Sequence, residues 1–121
     1  MLPFKNRLTK KKDFEFVFRF GERYYAPSGI NMYIKEKGNR NDGSRFGFIV
    51  SKKVSKKAVN RNKLKRWLRD IVKVNLSKIS NSFDVVVVLN PKLFKSDASF
   101  QKIRDDLESL FFKAGILQKN D

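Results

Sequence analysis

The side chains best suited to chemistry lie close together between residues 51 and 73. This segment, SKKVSKKAVNRNKLKRWLRDIVK, contains ten basic residues and one acidic residue. Its net charge of +9 is more than half of the +16 carried by the whole chain. Such a density of cations is typical of a surface that binds phosphate groups and exceeds what solubility requires.

The side chains on which most enzymes rely are absent. The 121 residues include no His and no Cys, which excludes His general bases, Cys nucleophiles, disulfides and the usual zinc sites. Without His, the net charge changes little between about pH 5 and pH 8. We therefore expect no catalytic residue and no metal bound by the protein alone, and instead a polyanionic partner.

The length and composition predict one folded domain. A chain of 121 residues with 40% hydrophobic residues is long enough for a single core, and we expect a domain over 1–121 with its folded part at about 2–115. No segment reaches the roughly 18 apolar residues that a membrane span needs, and the N-terminus does not resemble a signal peptide. We expect no membrane interaction and a cytoplasmic location.

The basic segment includes a predicted helix from about Val59 to Leu76. At about 100° per residue, one face of this helix collects its apolar side chains and is expected to pack on a sheet: Leu64, Trp67, Leu68, Ile71 and Val72. The opposite face collects cations and one amide: Asn62, Lys65, Arg66, Arg69 and Lys73, with Arg61 at its border. Asp70 is the only carboxylate on this helix, whereas solvated helices usually mix both signs of charge. The one-sided face therefore indicates nucleic-acid binding.

Four lysines before the helix extend this surface to the end of the preceding strand. Helix N-termini also favour phosphate, because their backbone amides and dipole are positive. The residues predicted to bind nucleic acid are Lys52, Lys53, Lys56, Lys57, Arg61, Asn62, Lys63, Lys65, Arg66 and Arg69.

Hydrophobic patterns predict the remaining elements as an α/β sandwich in the order helix, strands, helix, strand, helix. The expected boundaries are a helix from N-cap Thr9 to about Phe18, an edge strand at 22–25, strands at 30–35 and 45–51 paired as an antiparallel hairpin, a central strand at 84–89, and a last helix at about 98–114. The last helix is expected to be capped by Ser96 or Asp97 and closed by Gly115. Trp67 and the four valines at 85–88 are expected in the core.

Three aromatic residues allow two interpretations. Phe14 and Phe18 lie one turn apart on the first helix, and Tyr33 lies on the strand face opposite Ile30 and Met32. If the helix crosses that face, the rings could line a groove that stacks unpaired bases. Core packing explains the same residues and is favoured by composition.

The residues of the basic segment resemble a known family motif. A Lys-Lys pair at 52–53, seven further residues and then RNKLKRWLRD at 61–70 closely resemble the signature of the protein subunit of bacterial ribonuclease P. The resemblance continues on both sides, with Leu2-Pro3, Leu8, DFxxVF at 13–18, Gly21, FDVVVV at 83–88 and the amphipathic last helix. It covers residues 2 to about 115.

This resemblance implies a fold and a function. The implied fold is an α+β two-layer sandwich in the order α-β-β-β-α-β-α, with a four-stranded sheet and a left-handed βαβ crossover through the basic helix. The implied function is assistance to a catalytic RNA that removes the 5′ leader of precursor tRNA, with Mg²⁺ in the holoenzyme held mainly by RNA. It also implies that Phe14, Phe18 and Tyr33 form the cleft for the single-stranded leader.

Three other classes of protein would have some of these sequence features. A ribosomal or chaperone-like RNA-binding protein would have the same charge and size but would not prefer precursor over mature tRNA. A DNA-binding regulator would need a base-reading recognition helix, usually in a dimer, and neither is evident; we expect no DNA partner. A stand-alone nuclease would cleave with metal but without an RNA subunit.

Overall fold

The computed structural model describes residues 2–37, 43–80, 83–91 and 99–117. These residues form three α-helices and four strands in the predicted order: α1 (Lys11–Phe20), β1 (Glu22–Ala26), β2 (Ile30–Glu36), β3 (Arg45–Val50), α2 (Ala58–Asn75), β4 (Phe83–Leu89) and α3 (Phe100–Ala114). Short 3-10 helices occupy Phe4–Asn6 and Leu76–Lys78. None of the helices in the described ranges has the length and hydrophobicity needed to cross a bilayer.

The four strands form one sheet in the order β1-β2-β4-β3. β2 is antiparallel to both β1 and β4, whereas β3 is parallel to β4 and joined to it through α2. The predicted hairpin between β2 and β3 is therefore wrong, because β4 lies between them. Its valines at 85–87 are fully buried, and only a central position, with a strand on each side and cover on both faces, buries them so completely.

Alternate residues of the sheet face different helices. In β4, Val85, Val87 and Leu89 belong to the main core, which α2 and α3 complete. Val86 belongs to a smaller cluster on the other face, where it packs with Val17 of α1. The α+β sandwich and its four-stranded sheet are thus confirmed, and among the described α-helices α1 packs on the sheet face opposite α2 and α3.

Two helix starts differ from the predicted ones. α1 begins after Lys10, and Thr9 does not cap it, because the backbone N–H of Leu8 bonds to Phe46 O of β3 at 2.8 Å and keeps this segment extended. The predicted caps of α3, Ser96 and Asp97, lie outside the described residues, and Ser99 accepts the capping hydrogen bond from Lys102 N at 3.1 Å. Gly115 ends α3 with a φ of 74°, as predicted.

Candidate nucleic-acid interface

The loop between β3 and α2 presents lysines from a fixed backbone. Val54 is 1% exposed and anchors the loop in the core. Two serine hydroxyls accept hydrogen bonds from the loop backbone, Ser51 from Lys53 N at 3.1 Å and Ser55 from Lys57 N at 3.3 Å. The outward positions are taken by the predicted cations, all exposed: Lys52, Lys53, Lys56 and Lys57. All four lysines thus stand within the six residues that precede α2.

Arg61 has a structural contact that the sequence did not predict. Its Nη1 donates to Ser55 O at 2.8 Å and to Lys56 O at 3.1 Å. These hydrogen bonds fasten the lysine loop to the first turn of α2. Arg61 therefore holds part of the candidate interface in place.

The body of α2 divides into the two predicted faces. Its buried residues are Leu64, Leu68, Ile71, Val72 and Asn75. On the other side Asn62, Lys63, Arg66 and Lys73 are exposed, and Lys65 and Arg69 are half-buried. The outer side forms a shallow groove lined by Val59, Asn62, Lys63, Arg66, Arg69 and Asp70. The apolar face is thus confirmed, and the predicted cations lie along the solvent side of one helix.

Trp67 lies at the boundary between core and surface. Its ring meets Phe100 of α3 edge-on, with 5.8 Å between centroids, and packs against the main core as predicted. Lys63 Nζ lies 5.0 Å from the centre of the same ring. Lys63 is therefore drawn toward the junction of α2 and α3, at the flank of the basic face.

The second predicted site lies on the opposite side of the sheet. Phe18 and Tyr33 meet edge-on with centroids 4.9 Å apart. Phe18 is 39% exposed, while Phe14 and Tyr33 are half-buried and pack against the small cluster around Val17. The structure brings the three predicted rings to one side of α1. The rings pack on the sheet, as core packing predicts, and they still present ring surface to solvent, as a base-stacking groove requires.

The sheet face that carries Tyr33 includes further residues that sequence reasoning missed. Tyr25, Asn31, Val88 and Ile49 are neighbours in register across the four strands, on the face that carries Tyr33. Tyr25 is 61% exposed and the other three are half-buried. The period-two pattern of β2 already placed Asn31 beside Tyr33, but the sheet order that aligns the row could not be inferred from it.

Arg23 supplies a cation at the edge of the cleft. Its Nε and Nη2 donate to Asn31 Oδ1 at 3.3 and 3.0 Å, and its guanidinium carbon lies 5.4 Å from the centre of the Tyr25 ring. The cleft, defined here as Phe14, Phe18, Tyr33 and this row with Arg23, thus combines rings, an amide and a positive charge. The groups suit unpaired nucleotides, which offer flat bases and phosphates.

The cleft and the lysine loop adjoin. Ile49 closes the row at β3, and Lys52 follows three residues later, so their Cα atoms are at most about 10 Å apart.

Several carboxylates in the described ranges take part in local ion pairs and hydrogen bonds. No three Asp or Glu side chains come together there in a way that could hold a metal ion. Buried Asp84 instead accepts two hydrogen bonds from Arg45, from Nε to Oδ1 at 3.0 Å and from Nη2 to Oδ2 at 2.8 Å. The hydrogen bond that the Tyr24 hydroxyl donates to Glu22 raises the pKa of Tyr24, on the sheet face away from the cleft.

The chain matches known proteins over nearly its full length. The family model for ribonuclease P matches residues 2–115. A ribonuclease P protein component from a Pseudanabaena species is 38% identical over 121 residues, covering 99% of this chain and 100% of the relative. The solved structure of the Staphylococcus aureus RNase P protein superposes with a TM-score of 0.81 at 28% identity, covering 93% and 98% of the two chains. That of the Thermotoga maritima RNase P protein has a TM-score of 0.76 at 33% identity, covering 88% and 96%.

Proposed function

The chain belongs to the ribonuclease P protein family, and we propose that it assists a catalytic RNA in removing the 5′ leader of precursor tRNA. Family membership makes it the protein component of an endoribonuclease with an RNA partner. The proposal adds that the cleft takes the unpaired leader and that the RNA performs the hydrolysis. We also propose that the protein is located in the cytoplasm, where a bacterial cell makes precursor tRNA.

The observation that carries this proposal is the cleft itself. Phe18 is partly exposed while its ring is fixed edge-on against Tyr33, and the same sheet face carries Asn31 and Arg23. Because the rings are held in place by α1 and the sheet, little side-chain entropy is lost when a base stacks on them. A single-stranded leader, whose bases are unpaired, can use such rings, whereas the paired acceptor stem of mature tRNA cannot.

The basic surface of α2 and the lysine loop suits the catalytic RNA. Guanidinium groups bind phosphate through two parallel hydrogen bonds, and Arg66 and Arg69 stand on the solvent side of one helix. Neutralising phosphates there lowers the repulsion between the catalytic RNA and precursor tRNA, which are both polyanions. The two surfaces of the protein would then hold two RNAs side by side.

We assign the chemistry and Mg²⁺ to RNA. The chain contains no His or Cys, and the described carboxylates form no group of three or more that could hold a metal ion. Mg²⁺ prefers oxygen ligands and is commonly held through phosphates, which the RNA has in abundance. When bound there, Mg²⁺ would activate water and stabilise the charge that develops on phosphate, while the protein's cations balance the RNA backbone.

The alternative is a ribosomal or chaperone-like RNA-binding protein. It would use the same cations, but it would have no reason to distinguish precursor from mature tRNA. The family match and the ring-lined cleft both favour the ribonuclease P function. The preference for a leader is therefore the property that an experiment should measure.

The test compares precursor and mature tRNA with the reconstituted ribonucleoprotein. The wild type should bind precursor tRNA more tightly, and neither the RNA nor the protein alone should trim it efficiently at moderate Mg²⁺. Phe18→Ala or Tyr33→Ala should remove about five- to a hundredfold of the precursor affinity, since stacking on one ring contributes about 1 to 3 kcal/mol. Binding of mature tRNA should hardly change.

Phe112→Ala is the matched control, because Phe112 is 72% exposed on α3 and its ring lies outside the cleft. It should behave like the wild type with both tRNAs. Circular dichroism and binding of the catalytic RNA should be unchanged in all three variants. Equal weakening toward precursor and mature tRNA would contradict the assignment of the leader to this cleft.

A further inference from the structure

Helix α1 carries a second pair of rings on the side away from the cleft. At about 100° per residue, Phe16 and Phe20 lie about 160° around the helix from Phe14 and Phe18. Val17, midway between the two pairs, is fully buried against the sheet. The helix therefore has one aromatic side toward the cleft and another toward the end of β2.

The second ring pair is exposed although its members touch. The centroids of Phe16 and Phe20 are 4.8 Å apart, with the ring planes tilted by 49°. Phe16 is 39% exposed and Phe20 is 55% exposed. Neither ring belongs to the two hydrophobic clusters of the described residues. Two adjacent exposed rings are more than a monomer's surface requires and mark a candidate binding site.

Cations accompany both rings. Lys37 Nζ lies 4.2 Å from the centre of the Phe16 ring, and the guanidinium carbon of Arg19 lies 5.4 Å from that of Phe20. Lys37 Nζ is also 3.8 Å from Oδ2 of Asp84, a carboxylate that is 1% exposed and fixed by Arg45. The lysine beside the rings is thus held by a buried counter-charge.

The chemistry of this second ring pair favours RNA over protein. Exposed rings flanked by cations suit stacked bases with adjoining phosphates, as in other surfaces for single-stranded nucleic acid. Arg19 lies on the solvent side of α1, midway between the two ring pairs. A strand that crosses the helix from the cleft to the second ring pair spans about 10 to 12 Å and passes this guanidinium.

We propose that Phe16 and Phe20, with Lys37 and Arg19, form a second stacking site for the upstream part of the same 5′ leader. This inference rests on the proposed function, because it continues the leader path across α1. The nucleotides next to the cleavage site occupy the cleft, and those farther upstream reach the second ring pair. A short leader does not reach the second ring pair.

Leader length is the variable that tests the proposal. Precursor tRNAs with leaders of about 3, 6, 10 and 15 nucleotides would be bound to the holoenzyme containing wild-type, Phe16→Ala, Phe20→Ala or Phe16→Ala/Phe20→Ala protein. Each single substitution should weaken binding of the two longest leaders about fivefold or more and leave the shortest unaffected. Phe16→Leu and Phe20→Leu keep the apolar volume but not the flat ring, and they should behave like the alanine variants.

The outcomes separate this inference from the proposed function. Phe18→Ala should weaken binding at every leader length. If Phe18→Ala has no effect, the assignment of the leader to the cleft is contradicted. A length-dependent effect of Phe16→Ala would still support the second site. A loss that is equal for all leaders, or weaker binding of the catalytic RNA alone, would assign the ring pair to that RNA and overturn the proposal. Unchanged binding of the longest leader in the double variant would overturn it as well.

Discussion

Gly47 determines where the first ring of the cleft lies. It stands on β3 beneath α1, and a Cβ built on it would lie 2.4 Å from Cζ and 2.5 Å from Cε1 of Phe14. Carbon atoms do not approach so closely, so any side chain here displaces the ring. The absence of a side chain at 47 thus lets the Phe14 ring rest against the backbone of the sheet.

Gly47→Ala should therefore damage the cleft as well as the fold. Overpacking of this kind costs about 1 to 3 kcal/mol, which would lower the midpoint of thermal unfolding by several degrees. Precursor tRNA should bind more weakly, while the catalytic RNA should bind as before. In a Phe14→Ala background the same substitution should cost little further stability, since the clash is gone. Additive losses in the double variant would show that Gly47 acts through another neighbour.

At the scale of elements, some features follow from sequence patterns and others require the third dimension. The apolar stripe that includes Leu64 and Leu68 predicts which side of α2 is buried, and the valine run predicts that β4 is central. Period-two alternation tells which residues share a face but not which strands are neighbours. The β2–β3 hairpin was therefore predicted wrongly.

The candidate site is predictable to the extent that it is local. The cations of α2 and its loop are contiguous in sequence, so charge density and helical spacing are enough to identify them. The row of Tyr25, Asn31 and Val88 comes from three strands and depends on sheet order. The second role of Arg61 depends on loop carbonyls whose positions only the folded chain defines.

The contacts of Arg61 separate it from the other arginines of α2. Arg66→Glu/Arg69→Glu should leave the unfolding midpoint unchanged or raise it, because like-charge repulsion falls. Arg61→Glu should lower the midpoint, because it removes two hydrogen bonds and places a carboxylate beside Ser55 O and Lys56 O. Both variants should lose affinity for the catalytic RNA.

The salt dependence of RNA binding distinguishes a loss of phosphate contacts from a loss of protein stability. Each lost phosphate contact should flatten the slope of log affinity against log salt by about 0.7 to 0.9. The Arg66→Glu/Arg69→Glu variant should show this flattening without any loss of stability. Wild-type salt dependence in that variant would remove this face from the RNA interface, and an unchanged midpoint for Arg61→Glu would show that its hydrogen bonds do not support the loop.

For the whole molecule, the dominant quantity is the net charge of +16 on 121 residues. Most of this excess comes from α2 and the loop before it, where the cations face solvent on one side of the fold. Mutual repulsion opposes compaction, and the free energy of folding of a domain this size is only about 5 to 15 kcal/mol. Because no His is present, a moderate change of pH does not relieve the repulsion, so anions must do so.

Sulfate should therefore stabilise the free protein more than chloride does at the same ionic strength. Screening alone acts equally for both salts, whereas a divalent anion held by several cations of the folded state adds a mass-action term that grows with its concentration. Circular dichroism during thermal unfolding, with the two salts titrated at matched ionic strength, measures the difference directly. Arg66→Glu/Arg69→Glu provides the control, since it should start closer to its maximum stability and gain less from sulfate. Coincident curves for the two salts would mean that the cations of α2 and its loop form no anion-binding site in the free protein.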